Sequence, residues 1–155
     1  MTDYTLLVQQ LKSLTEGERC LLPNLANASA LLYTSLSDLN WAGFYLTTHG
    51  SELVLGPFQG KPACIRIPYG KGVCGTAAKT DRVQRIADVH QFPGHIACDG
   101  ASNSEIVIPL HREGKVVGVL DIDSPILNRF SEEDEQGLVA FAQALEAACD
   151  FNIIF

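Results

Sequence analysis

With 155 residues, 46% of them hydrophobic, the chain has the length of one domain, and folding at this size hides roughly 70% of the unfolded chain's surface. Eighteen acidic residues against eleven basic ones give a formal net charge of −7 with no basic stripe, which argues against a nucleic-acid or anionic-membrane partner. Five cysteines fit reduced thiols that cycle in the cytoplasm better than a secreted disulfide framework; no signal-peptide-like start follows Met1, and no apolar run approaches the roughly 18 residues of a membrane span.

Leu7, Leu11 and Leu14 recur at helical spacing behind Thr2 and Asp3, which can cap, and predict an amphipathic helix from about residue 4 to 14. Thr15 with Glu18 fits a capping box for a second helix carrying Leu21, Leu25, Ala28 and Leu32, in which Pro23 is early enough to be tolerated. At Asn40 the pattern changes: Trp41 to Leu46 and Leu53 to Leu55 read as a hairpin around His49-Gly50-Ser51. Gly56 to Pro62 breaks the strand pattern, Cys64 to Ile67 is a short alternating strand, and Val73 to Lys79 is a short helix opening near Cys74.

Asp88 to Ala97 has neither period and carries His90, Pro93, Gly94 and His95, an irregular loop of the kind that usually serves function. Two strong strands follow, Ser104 to Leu110 and Lys115 to Asp123, and Ser131 caps a last helix with Leu138, Phe141, Leu145 and Cys149 in period. This order predicts one α+β domain over residues 1–155, an antiparallel sheet with the terminal helices packed mainly on one face. Cys20 and Cys149, both in helical periods, read as inert core residues.

The chemistry concentrates where Cys98 precedes the strand carrying Glu105, and where Asp121 and Asp123 follow on the next strand. Two residues apart, Asp121 and Asp123 project from one face about 7 Å apart. A two-residue turn Glu113-Gly114 would set Glu105 opposite Ile122, on the other face, and would force Glu113 to positive φ. A three-residue loop Arg112-Glu113-Gly114 asks this only of Gly114, pairs His111 with Lys115 and sets Glu105 opposite Asp121. The second register is therefore expected, gathering three acids on one face and leaving Ile106, Ile108, Leu120 and Ile122 as core on the other.

A free thiol has a pKa of about 8.5, and acids beside Cys98 oppose its ionisation; His95, the backbone N–H groups of Gly100 to Ser102, or a cationic substrate would have to offset them. Clustered carboxyls cannot all ionise, so at least one holds a proton it can give to a departing oxygen, while the ionised ones can bind an ammonium. These needs match reduction of a sulfoxide carried by a free amino acid. Cys64 and Cys74 are both possible partners for Cys98.

The stretches Trp41-Ala42-Gly43-Phe44-Tyr45, Leu55 to Cys64, Gly70-Lys71-Gly72-Val73-Cys74-Gly75, Phe92 to Asp99, Ser104-Glu105-Ile106-Val107 and Gly118 to Ser124 are distributed from Asn40 to Pro125. Over that span, more than half the chain, the sequence resembles the free methionine-(R)-sulfoxide reductases, which are single GAF-domain enzymes. The resemblance implies a GAF-like fold with a central antiparallel sheet of about six strands. It implies that Cys98 attacks the sulfoxide sulfur and forms a sulfenic acid, and that Cys64, or alternatively Cys74, closes a disulfide reduced by thioredoxin. Glu105, Asp121 and Asp123 would hold the ammonium and act on the oxygen, and Trp41 and Tyr45 would line the methyl pocket.

No bound cofactor is expected, and no metal. Cys64, Cys74, Cys98, His90 and His95 lack the paired short spacing of structural zinc sites. A homodimer through the apolar first helix is possible, since GAF domains often dimerise. The competing reading is a GAF-type module that binds a small molecule, or senses redox state, without turnover.

Overall fold

The computed structural model describes residues 1–96 and 98–152; residue 97, the last of the irregular loop named above, lies outside the described residues. The fold is α+β. Its elements in order are α1 (Tyr4–Thr15), α2 (Leu21–Ser35), β1 (Trp41–Thr48), β2 (Glu52–Gly60), β3 (Arg66–Pro68), α3 (Gly72–Thr80), β4 (Gln84–Ile86), β5 (Ser104–Arg112), β6 (Lys115–Ser124) and α4 (Glu132–Ala148). The strands form one antiparallel sheet in the order β3-β2-β1-β6-β5-β4.

Period-two patterning divides the sheet into two working faces. Ala42, Phe44, Leu46, Ile106, Ile108, Leu110, Leu120 and Ile122 point to one side, where they pack against Leu7, Leu11, Leu25, Leu32, Leu138, Phe141 and Leu145 of α1, α2 and α4. The other side carries Trp41, Tyr45, Val107 and Val119, packed against Val73, Cys74, Ala77 and Ala78 of α3. The terminal helices thus share one face, as expected, and the face with the acids is covered by α3 and loops.

Local chemistry explains most boundaries. Asp3 accepts from Leu6 N–H at 3.0 Å to start α1, and Ser131 with Asp134 forms a reciprocal capping box for α4. The capping box expected at Thr15 is absent. Thr15 ends α1, its hydroxyl donating to Leu11 O at 3.0 Å, and α2 starts after Cys20 without a side-chain cap.

Gly56-Pro57 does not end β2 as its composition suggests. The strand runs on to Gly60 through an irregularity opposite Phe44, where the proline's missing N–H is tolerated. Cys64 lies ahead of the three-residue β3 rather than in it, and Gln84–Ile86, which had no assigned role, forms the opposite edge. Both edges are short, which limits pairing with other chains.

The β5–β6 register departs from expectation in an instructive way. Glu113 does take positive φ (52°) beside Gly114 (75°), so the turn has two residues and Arg112 pairs with Lys115. Such primed turns match the strand twist, which offsets the left-handed cost at Glu113 of about 1–2 kcal/mol. The register then shifts between Leu110 and His111: His111 pairs with Val116 but Leu110 with Gly118, so Val117 is bulged. That extra residue restores the parity a two-residue turn would have lost. Glu105 faces Asp123, not Asp121, and Val107 faces Asp121.

A charged cluster ties the far end of the hairpin to its neighbours. His111 on β5 meets Asp81, at the end of α3, through Nε2 at 2.5 Å and Glu146 of α4 through Nδ1 at 3.0 Å, and its backbone N–H also donates to Glu146. Partial burial alone would lower the imidazole pKa; the hydrogen bonds and charges of Asp81 and Glu146 outweigh it and raise it. A folded-state value above that of the unfolded chain stabilises fully below about pH 6.5, and the contribution is lost as pH rises through the raised value. The urea midpoint gap between wild type and His111→Gln is therefore expected to be widest near pH 6 and to shrink by about pH 9; a gap independent of pH would show that His111 contributes only packing.

A second expectation concerns the helical face. A Cβ at Gly137 would collide with the Tyr4 ring, so Gly137→Ala should push α1 off α4 and cost about 1–3 kcal/mol in denaturant unfolding.

Candidate active site

The acid-bearing strands, α3 and the loops before β3 and β5 enclose a cavity of about 50 Å³, room for roughly three or four water molecules. Its lining includes Trp41, Tyr45, Cys74, His95, Cys98, Asp99, Ser102, Glu105, Asp121 and Asp123. Of the residues expected to act on or bind the substrate, all except Cys64 line it directly, and Cys64 is joined to it by a Cys64–Cys98 disulfide with Cα atoms 5.7 Å apart. Cys74 is free and buried. Of the two partners left open for Cys98, the structure pairs Cys64.

The floor is the carboxyl group. Glu105 and Asp121 are only 6% and 5% exposed, and one atom each of Cys74, Glu105 and Asp121 lie within 4.8 Å of one another. At an effective dielectric of about 20, two negative charges at that separation repel by on the order of 3 kcal/mol, and burial adds its own penalty. That exceeds the 1.4 kcal/mol that moves a protonation equilibrium about tenfold. Burial first, then the neighbouring acids, push Glu105 and Asp123 well above the usual carboxylate range. Burial raises Asp121 too, while hydrogen bonds from Glu105 and Cys74 pull it back. The group therefore holds protons near neutral pH, and Oδ1 of Asp121 is buried with no hydrogen-bond partner.

The same environment settles what Cys74 and His95 are. Burial and then the charges of Asp121, Glu105 and Asp123 push the Cys74 thiol up, so it stays protonated and is a poor nucleophile. His95 Nε2 lies 4.0 Å from Glu105 Oε1, yet burial and then His90 lower its pKa. A neutral imidazole cannot be the cation that helps Cys98 ionise. With Glu105 protonated there is no charge to draw a proton onto it, which accounts for both observations.

Trp41 and Tyr45 do more than line the wall. Trp41 Nε1 donates to Lys61 O at 3.2 Å and the Tyr45 hydroxyl to Cys64 O at 2.9 Å, so the two rings fasten the loop that carries Cys64. They stack with centroids 5.9 Å apart, and Phe58 stacks on Trp41 at 5.0 Å. Burial, then Asp121, Cys74 and the other acids raise the Tyr45 phenol, which stays a donor. Gly72 allows the other loop to close down: a Cβ there would meet Ile96 at 3.1 Å.

The loop that carries Cys98 is held through Asn40, a residue with no role in the sequence analysis. Asn40 Nδ2 donates to Asp99 Oδ2 and to Ser102 Oγ, both at 3.0 Å, and its backbone N–H reaches Asp123 O at 3.0 Å. Ala101 N–H donates to Asp99 Oδ1 at 2.9 Å; this bond and the one from Asn40 lower the Asp99 pKa, in contrast to the three acids on the strands. Asn40 stands at the first position of the matched span, but a lone asparagine before a strand gives no signal by itself.

Fold and pocket together define a GAF domain with a cysteine pair closing over buried carboxyls, and the GAF domain profile matches residues 4–149. Protein YtsP of Bacillus subtilis (strain 168) is 61% identical over 147 residues, covering 94% of this chain and 90% of that protein. The free methionine-R-sulfoxide reductase of Escherichia coli (strain K12) is 56% identical over 155 residues, 98% of this chain and 93% of that protein. The structure of fRMsr of Staphylococcus aureus in complex with substrate is 53% identical with a TM-score of 0.91, each chain covered to 96%. The chain belongs to the free methionine-R-sulfoxide reductase family of GAF-domain proteins.

Asn40→Ala removes two side-chain hydrogen bonds of about 1 kcal/mol each from the Cys98 loop. It is expected to shift the Cys64–Cys98 equilibrium in a glutathione buffer toward the thiols by on the order of tenfold. An unchanged equilibrium would show that the loop is held without Asn40.

Proposed function

We infer that the protein reduces free methionine-(R)-sulfoxide to methionine, using Cys98 as nucleophile and Cys64 as the thiol that resolves it. The observation that supports this most directly is the Cys64–Cys98 pair above a pocket floored by Glu105, Asp121 and Asp123. The substrate's ammonium is matched by ionised carboxylate of that group, as the orphaned Asp121 Oδ1 invites, and the sulfoxide oxygen by the carboxyl that keeps its proton. Trp41 and Tyr45 supply apolar surface for the methyl group.

In this reading Cys98 Sγ attacks the sulfoxide sulfur while the protonated carboxyl gives its proton to the oxygen. The oxygen passes to Cys98 as a sulfenic acid and methionine leaves as the sulfide. Cys64 Sγ then attacks Cys98 Sγ, forming the disulfide and releasing water. A dithiol reductant of the thioredoxin class returns both cysteines to thiols, and the need for it at every turnover suits the reducing cytoplasm. No helix among the described residues is long and apolar enough to cross a membrane.

The substrate's own positive charge answers the difficulty of ionising Cys98 beside acids. With His95 neutral, the ammonium and the backbone dipoles of residues 100–102 are the groups left to favour the thiolate.

The test couples NADPH, thioredoxin reductase and thioredoxin to the protein and supplies each diastereomer of free methionine sulfoxide. NADPH consumption with the R form and not the S form is expected; none with a folded, reduced protein would sink the reading and favour a sensor module. Cys98→Ser should abolish even single-turnover methionine release, whereas Cys64→Ser should release one equivalent and then stall. Glu105→Gln, which cannot donate its carboxyl proton, should lower kcat by about 10²–10⁴-fold in the same assay.

A further inference from the structure

The acid pocket carries a donor set that the reductase reading does not use as such. Cys74 at the start of α3, Glu105 on β5 and Asp121 on β6 offer a sulfur and two carboxylate oxygens within 4.8 Å of one another. All three residues are buried. A tetrahedral Zn²⁺ with Zn–S of about 2.3 Å and Zn–O of about 2.0 Å sets its ligand atoms about 3.5 Å apart, within reach of modest side-chain rotation from this arrangement.

Two further observations point to a ligand here. Asp121 is 5% exposed and its Oδ1 has no partner, an acceptor aimed into the pocket. His95, which lines the same pocket, has its Nε2 4.0 Å from Glu105 Oε1, a nitrogen donor beside the three-residue set though not within it. Paired short spacing along the chain is the usual sequence mark of such a set, and Cys74, Glu105 and Asp121, 16 to 47 positions apart, lack it.

We propose that Cys74, Glu105 and Asp121, with His95 at the mouth, bind a thiophilic divalent cation of the Zn²⁺ class, which occupies the place of the substrate's ammonium and so competes with it. Cys74 binds as the thiolate, releasing its proton to solvent, and the cation's two positive charges replace the protons and the ammonium that otherwise neutralise the acids. The sulfur donor selects Zn²⁺, Co²⁺ or Cd²⁺ over Mg²⁺ and Ca²⁺, which prefer all-oxygen shells. The site does not need Cys64 or Cys98 and is therefore present in the disulfide form.

Competition with the amino acid rests on the proposed ammonium subsite; metal binding does not, and the experiment separates them. Protein oxidised to the Cys64–Cys98 disulfide is titrated with Co²⁺ and followed by its thiolate-to-cobalt charge-transfer absorption. One equivalent should bind with that band, Zn²⁺ should displace it, and excess Mg²⁺ should not.

Cys74→Ser should lose the band and a Cys20→Ser, Cys149→Ser double variant should keep it. Glu105→Gln, which leaves the sulfur in place, should keep the band and weaken binding by at least about tenfold. L-methionine should raise the apparent dissociation constant in competitive fashion. Absence of the band in folded wild-type protein, or its survival in Cys74→Ser, overturns the site. Cobalt binding indifferent to saturating methionine overturns the competition. Cobalt bound through Cys74 in a protein that fails to reduce methionine sulfoxide upholds the metal site and sinks only the catalytic reading.

Discussion

The register of the β5–β6 hairpin is the constraint on which the rest of the molecule depends. One face of these two strands must take Ile106, Ile108, Leu120 and Ile122 into the helical core, while the other holds Glu105, Asp121 and Asp123. Because side chains alternate, a slip of one residue would bury the acids among leucines and expose the isoleucines. The bulge at Val117 is what reconciles a two-residue turn with this requirement. A feature usually regarded as a local irregularity therefore sets the chemistry some 15–20 Å along the strands, at about 3.3 Å per residue.

The acids are tolerated because the two faces of the sheet do different work. The helical face, with Phe44, Phe141 and Leu11, Leu25, Leu32, Leu138 and Leu145 of α1, α2 and α4 fully buried, supplies the apolar burial that holds the domain together. The opposite face bears an arrangement that is costly in itself: three carboxyls and a thiol under α3, with an acceptor left unpaired. Protonation relieves much of the repulsion, and that relief makes the site useful, since a carboxyl that keeps its proton near neutral pH is a donor and its neighbour is a receptor for a cation. The same demand for positive charge underlies both the amino acid and the metal proposed as ligands.

Holding two cysteines together over such a pocket requires separate anchors for two loops. Trp41 and Tyr45 fasten the Cys64 loop by hydrogen bonds to its carbonyls, and Asn40 fastens the Cys98 loop through Asp99 and Ser102. Trp41 and Tyr45 lie on one central strand, β1, and Asn40 immediately precedes it; β1 pairs directly with the acid-bearing β6. Thiols and acids are thus referred to the same rigid element, which is how a site built largely on loops keeps its geometry.

Much of this was legible in the chain. Helical spacing of leucines placed α1, α2 and α4, alternation placed β5 and β6, and the neighbourhoods of Cys64, Cys74 and Cys98 marked the family. Periodicity and local chemistry carry such information because each residue's preference acts within a turn of helix or a strand's pleat. What the sequence could not decide was which residue lies opposite which. The turn at Glu113-Gly114, the bulge at Val117, the continuation of β2 through Pro57, the choice of Cys64 over Cys74, and the meeting of Asn40 with Asp99 all depend on packing between segments distant in the chain. There, small local costs such as positive φ at Glu113 are outweighed by burial of whole strands, and only the tertiary structure shows which side of that balance prevails.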